Sequence, residues 1–166
     1  MLEVDQPLPS FSLKMQDGAV RTNASYAGKW LILHVYPESD SPGCAIQGKL
    51  FTTSRADFDA RNAVVVGLSG ETCGASGRAC GVGCTIDLLA DTGRTFLFVL
   101  GVGQSAWKGT PEWDRTTFLV DPKGVVRKVY TKIDPSGHEK LLLENLDALV
   151  RGSPPMEPRQ RAGVAD

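Results

Sequence analysis

The chain has no long apolar run, no cluster of one charge and few histidines and cysteines, and each shortage excludes something. Among its 166 residues no apolar stretch reaches membrane-spanning length. Its 18 Lys and Arg stand against 19 Asp and Glu, a net charge of −1, with no basic block to follow a phosphate backbone. Neither a membrane nor a nucleic acid is therefore expected as a partner. The first residues, Met1-Leu2-Glu3-Val4-Asp5-Gln6-Pro7, show neither the basic n-region nor the apolar h-region of a secretory signal, so the expected location is cytoplasmic. No internal repeat is visible. The four cysteines of a cytoplasmic chain are better candidates for reactive or metal-binding thiols than for permanent bridges. Cys73, Cys80 and Cys84 fall in a C-x6-C-x3-C pattern without the short C-x2–4-C knuckle of structural zinc sites, and no C-x-x-C begins at Cys44.

What is present is organised around Tyr36-Pro37-Glu38-Ser39-Asp40-Ser41-Pro42-Gly43-Cys44. Upstream, residues 30–36 form an apolar, β-favouring run (Leu31, Ile32, Leu33, Val35) that reads as a buried strand. Downstream, residues 49–62 carry Leu50, Ser54, Phe58 and Arg61 at helical spacing. Ser41 suits an N-cap and Pro42 the first helical position, which places Cys44 in a first turn among free N–H groups at the positive end of the dipole. That environment favours the reactive thiolate over a small buried hydrophobe.

The remaining chain supplies a scaffold. Residues 11–15 and 19–21 read as a hairpin around Gln16-Asp17-Gly18. Residues 63–69 (AVVVGLS) are a near-continuous apolar run, as in a strand buried on both faces, so strand, helix and strand make a βαβ unit with Cys44 beyond its first strand. Residues 70–84 carry Gly74, Gly77, Gly81 and Gly83, which at about 1 kcal/mol each leave any helix there marginal. Residues 85–90 suggest a short strand. Asp91 or Thr92 suits the cap of a helix through Thr95 to Leu100, and residues 101–110 read as a loop. Residues 115–120 and 125–130 flank Asp121-Pro122-Lys123-Gly124, the clearest hairpin in the chain. Residues 137–151 read as an amphipathic helix with Leu141, Leu142, Leu146, Leu149 and Val150 on one face. His34, inside a strand, reads as a packed core residue, and His138 as a surface residue at a helix start. The order implies an α/β chain of thioredoxin-like fold, a central mixed β-sheet flanked by helices with an N-terminal β-hairpin. It spans residues 1–151 as one domain, and residues 152–166 form a Pro-, Arg- and Gly-rich tail.

Pro37-x-x-x-Ser41-x-x-Cys44 resembles the Pro-x-x-x-Thr/Ser-x-x-Cys motif of peroxiredoxins, and Tyr36-Pro37 with Ser41-Pro42-Gly43-Cys44 is most similar to the bacterioferritin-comigratory-protein, or peroxiredoxin Q, branch. The resemblance continues through Gly28-Lys29-Trp30, Val66-Gly67-Leu68-Ser69, Leu89-Ala90-Asp91 and Arg115-Thr116-Thr117-Phe118-Leu119-Val120-Asp121 with Gly124. It implies a thiol peroxidase without cofactor or metal, acting on hydrogen peroxide and organic hydroperoxides, recycled by thioredoxin or a similar dithiol reductant, and monomeric. Carried over by position, Cys44 is the peroxidatic cysteine, Ser41 hydrogen-bonds the peroxide, Pro37 shields the thiolate, and Arg115 sits beside sulfur and substrate. Elementary energetics agree with the need for Arg115. Lowering a thiol from about 8.5 to about 6 takes about 3.4 kcal/mol. A helix N-terminus supplies about 0.3–1 kcal/mol, at most about 2, so a fixed cation is wanted.

Two positions depart from the pattern. Gln47 stands where many relatives carry a glutamate that orients the arginine, and a neutral amide holds a guanidinium more weakly. Lys49 stands where some relatives carry the resolving cysteine. The other arrangement in the family puts that cysteine after the Val-Gly-Leu-Ser strand, where Cys80 falls, with Cys84 one helical turn on as a stand-in. A disulfide needs Cα atoms about 5.5 Å apart, so thiols on separate helices would meet only after local unfolding, cheapest in the glycine-rich segment. The implied enzyme is thus an atypical 2-Cys peroxiredoxin. The competing readings are a general dithiol–disulfide oxidoreductase, and a zinc protein using Cys73, Cys80 and Cys84 with His34 or His138.

Overall fold

The structure, a computed structural model, describes residues 1–15, 18–36, 50–70, 86–107, 110–131, 133 and 137–151. Its frame is a seven-stranded mixed sheet in the order β2-β1-β5-β4-β3-β8-β9. The centre is β3 (Trp30–Val35), parallel to β4 (Ala63–Ser69) and antiparallel to β8 (Thr116–Val120). β5 (Asp87–Ala90) runs parallel to β4, and the N-terminal hairpin of β1 (Ser12–Met15) and β2 (Val20–Thr22) adds antiparallel to β5. β9 (Val126–Tyr130) closes the other edge. A separate two-stranded ribbon joins β6 (Gln104–Trp107) to β7 (Thr110–Trp113). Among the described residues, besides the helical stretch 50–53, the α-helices are α1 (Arg55–Asp59), α2 (Thr95–Leu100) and α3 (His138–Val150).

The alternation of side chains along β3 makes two cores. Leu31, Leu33 and Val35 face one side, with Val66, Leu68, Leu89, Phe118 and Val120, beneath Phe96, Leu97 and Leu100 of α2. Ile32 and Tyr36 face the other, with Val65, Leu119 and Tyr130, beneath Phe58 of α1 and Leu142 and Leu146 of α3. Arg61 ties the end of α1 to α3 by two parallel bonds to Asp147, at 2.8 and 3.2 Å.

Local chemistry explains the turns. In the β8–β9 hairpin Gly124 adopts φ +84°, its N–H donates to Asp121 C=O at 2.9 Å, and the Asp121 carboxylate accepts from the N–H groups of Lys123 and Val125. Asp91 acts as a cap for α2 from a distance: its Oδ2 accepts the Leu97 N–H at 2.7 Å, while the residue preceding the helix is Arg94 in the left-handed region.

Several expectations need correction. The helix read over residues 49–62 is helical at 50–53, turns at Ser54, and resumes as α1. The loop read over 101–110 contains β6 and leads into β7. A two-stranded ribbon tolerates Pro111 because an edge strand needs no N–H at every position. On α3 Val150 is 65% exposed, and the buried face holds Glu139 and Asn145 beside Leu142 and Leu146. His138 is not at the surface but buried against the sheet. The turn at Gln16-Asp17 and the tail over 152–166 lie outside the described residues.

Candidate active site

The active end of the sheet is defined by where β3 and β4 finish. β3 ends at Val35 and Tyr36 follows, its N–H donating to Leu68 C=O at 3.1 Å, so residue 36 is still held on β4. The Tyr36 ring is buried across β4 at Gly67, where a Cβ would lie 3.0 Å from Tyr36 Cε1 and 2.8 Å from Leu88 Cδ2. Glycine at 67 thus lets the tyrosine lie flat on the strand. From Tyr36 the chain leads into Pro37, Ser41, Cys44 and Gln47, which lie outside the described residues. Cys73, Cys80 and Cys84 lie outside them as well.

Arg115 enters the same end from the opposite direction. In the antiparallel register His34 faces Thr117 and Val35 faces Thr116. Tyr36 directly follows, and Arg115 directly precedes, that last pair of the register. Arg115 is half-buried and adjoins the start of β8, at the sheet end where β3 finishes. Its backbone neighbours are anchored in turn. Asp114 N–H donates to Gly103 C=O at 2.9 Å, and Thr116 Oγ1 donates to Asp114 C=O at 3.1 Å. The β6–β7 ribbon thereby sets where β8 begins. A strand start gives a guanidinium a fixed origin, and the charge is permanent.

The segment that carries the other cysteines leaves from the adjacent strand. β4 ends at Ser69, next to the end of β3, because the parallel register pairs Val35 with Leu68. β5 begins at Asp87, which pairs with Val66, three residues back from Ser69. Segment 71–85 therefore leaves β4 at the same end of the sheet as Tyr36 and rejoins β5 from the opposite direction, as a connection between parallel strands must.

Below this end lies a polar group that the sequence reading did not assemble. His34 Nδ1 is 2.8 Å and His138 Nε2 2.9 Å from Thr117 Oγ1, all three residues buried. Burial alone pushes His138 down to about 4, so the imidazole is neutral at ordinary pH. Phe51, wholly buried, packs on both rings at centroid distances of 5.4 and 6.4 Å and so belongs to the core. The only sequence sign of this group was polar residues at inward positions of apolar strands, His34 in one and Thr117 in the other. Nothing marked His138, whose burial depends on a partner 21 positions away.

Comparisons with known proteins bear on the whole arrangement. The family model described as AhpC/TSA family matches residues 4–129. A putative peroxiredoxin Bcp of Helicobacter pylori (strain ATCC 700392 / 26695) is 29% identical over 150 residues, covering 87% of this chain and 98% of that protein. Chloroplastic peroxiredoxin Q of Populus jackii is 32% identical, covering 87% and 68%. The chain belongs to the AhpC/TSA family, as a peroxiredoxin of the Bcp and peroxiredoxin Q branch. Among solved structures, the Xanthomonas campestris bacterioferritin comigratory protein is 26% identical with a TM-score of 0.73, covering 82% of this chain and 88% of that one. The peroxiredoxin sheet, with helices on both faces, is the frame described above, and peroxidase activity is the activity of the family. Among the described residues no helix is long and apolar enough to cross a membrane, and no three metal-binding side chains are grouped to hold an ion.

Proposed function

We propose that the chain reduces hydrogen peroxide and organic hydroperoxides through Cys44, with Arg115 as the fixed cation of the site and Cys80 as the resolving thiol. The observation that supports this is the register of β3 on β8, whose last pair, Val35 with Thr116, has Tyr36 directly after it and Arg115 directly before it in the chain. In the first step the Cys44 thiolate attacks a peroxide oxygen. The S–O bond forms as the O–O bond breaks, Cys44 becomes a sulfenic acid, and the departing alkoxide or hydroxide takes up a proton. Arg115 favours the thiolate before attack and the developing oxygen charge during it. Ser41 holds the peroxide and Pro37 shields the sulfur from water. Gln47 takes the place of a carboxylate partner, so Arg115 is oriented by hydrogen bonding and by its place on the strand.

In the second step the Cys80 thiolate attacks the Cys44 sulfur, the S–S bond forms as the S–O bond breaks, and the departing hydroxide takes up a proton to leave as water. Support comes from the neighbouring departure points of segments 37–49 and 71–85 at one sheet end. From Gly70 to residue 80 the chain spans up to about 33 Å when extended, so length does not limit the encounter. Cys84 is the alternative resolver. A thioredoxin-type dithiol then reduces the disulfide. The Xanthomonas campestris relative is described by its alkyl peroxide reduction activity, which supports organic hydroperoxides as substrates here too. The enzyme works as a cytoplasmic monomer on residues 1–151, with 152–166 as an appended tail and no cofactor or metal.

The test is peroxidase kinetics with a thioredoxin system on Cys44→Ser, Cys80→Ser and Cys84→Ser, with peptide mapping after one equivalent of peroxide. The expected result is loss of all activity in the first, loss of turnover with a retained single reduction in the second, and a Cys44–Cys80 link in the wild type. Retained turnover in Cys44→Ser contradicts the peroxidatic assignment, and a Cys44–Cys84 or intermolecular link contradicts that of Cys80.

A further inference from the structure

One buried constellation takes no part in the chemistry just described. His34, Thr117 and His138 are 3%, 0% and 5% exposed and converge on one oxygen, Thr117 Oγ1. A threonine hydroxyl has one proton to give and can accept twice. It can donate to only one imidazole, so at least one ring presents its N–H to the oxygen. The two rings are thus tied through a single hydroxyl, and removing it leaves two buried nitrogens to find other partners.

Each member comes from a different element, and each lies next to a part of the site. His34 is on β3, two residues before Tyr36. Thr117 is its cross-strand partner on β8, two residues after Arg115. His138 opens α3, and its ring stands edge-on to Tyr130 at 5.2 Å. Both imidazoles pack on Phe51, seven residues after Cys44 in the chain. The strand leading to Cys44, the strand carrying Arg115 and the stretch following Cys44 therefore all rest on one hydrogen-bonded unit. Two aliphatic residues would fill the same space without fixing a relative rotation. A shared hydroxyl fixes both rings and, through them, both strand ends.

We propose that His34, Thr117 and His138 act as one positioning unit for the peroxidase centre, holding the ends of β3 and β8 and the Phe51 contact in the register that sets Arg115 toward the Cys44 thiolate. This rests on the assignment of Cys44 and Arg115 made above. None of the three touches substrate, and their effect passes through Arg115 and the Cys44 segment.

The test compares Thr117→Val, which keeps the shape and removes the hydroxyl, with Thr117→Ser, which keeps the hydroxyl. The readouts are kcat/KM for hydrogen peroxide and the titration of the Cys44 thiolate followed by its ultraviolet absorbance. The expected result for Thr117→Val is a fall in kcat/KM of about tenfold or more and a thiolate titration moved upward, with both restored in Thr117→Ser. A Thr117→Val enzyme with wild-type rate and titration overturns the proposal, whatever its stability. If Thr117→Val does not fold, the wild-type imidazoles are followed by long-range nitrogen–proton NMR before and after one equivalent of peroxide. Shifts of both rings on oxidation are expected, and unchanged rings overturn the proposal. Peroxidase activity retained in Cys44→Ser overturns the site assignment itself, whereas Cys44 dependence with an indifferent Thr117→Val overturns only the positioning role.

Discussion

The two faces of the central sheet are built to different rules. The face under α2 is mostly hydrocarbon: Leu31, Leu33 and Val35 of β3 meet Phe96, Leu97 and Leu100, all six buried, and its buried polar residues Asp91 and Thr116 each bond to nearby backbone. The face under α1 and α3 buries hydrocarbon too, but it also takes in His34, Thr117, His138 and Asn145, and Asn145 Nδ2 donates to Tyr130 OH. Buried polar groups cost stability unless each finds a partner. On this face His34 and Thr117 stand two positions from Tyr36 and Arg115. On the proposal above, the first face serves the fold alone, while the second also positions the site.

Breaking the hydrocarbon face should give the largest loss of stability with the least change in chemistry. Leu33→Ala is expected to lower unfolding stability by about 2–5 kcal/mol in urea titrations, while the folded fraction keeps its rate constant for peroxide. A rate constant that falls in step with stability would erase the distinction between the faces.

Acid should act on the polar face. His138 goes from an ordinary 6.5 to about 4 in the folded protein because it is buried. Between those values the unfolded chain binds more protons than the folded one, so stability is complete above about pH 6.5 and is lost as pH falls through about 4. The gap corresponds to a loss on the order of 3 kcal/mol. Urea midpoints of the wild type and of His138→Gln at about pH 7 and about pH 4.5 should show a steeper decline in the wild type. Equal declines would mean that His138 is protonated in the fold without penalty.

A smaller effect is expected at the contact between strand and tyrosine. Gly67→Ala puts a methyl 2.8 Å from Leu88 Cδ2 and 3.0 Å from Tyr36 Cε1, contacts too short for either to stay in place. Stability should fall by about 1–3 kcal/mol, and peroxide reduction should slow because Tyr36 leads directly to the cysteine segment. A variant with unchanged kinetics would show that the Tyr36 ring does not align that segment.

The same contrast explains what was legible in the sequence. Continuous apolar, β-favouring runs announce themselves, so residues 30–36, 63–69 and 115–120 read as strands, each within one residue of the observed bounds, and Asp121 to Gly124 as the turn after the last. Asp91 was readable as a cap although it reaches α2 from four residues before Thr95. The ribbon of β6 and β7 was hidden by Gly101 and Gly103, which argue for a loop when only local preference is weighed. His138 read as a surface residue because polar residues at helix starts usually face water. Only the return of α3 onto β8 brings it to Thr117. Arg115 was singled out by its motif alone, and the structure adds that it directly precedes Thr116, the residue paired with Val35 at the end of β3.

The central claim is that Arg115, delivered by β8 to the end of β3, activates Cys44. It is tested most directly by titrating the Cys44 thiolate in the wild type and in Arg115→Ala, with the rate of peroxide reduction measured on the same samples. The expected result is an upward move of the thiolate titration in Arg115→Ala, together with a loss of about 100- to 1000-fold in kcat/KM. An unchanged titration and an unchanged rate would contradict the account.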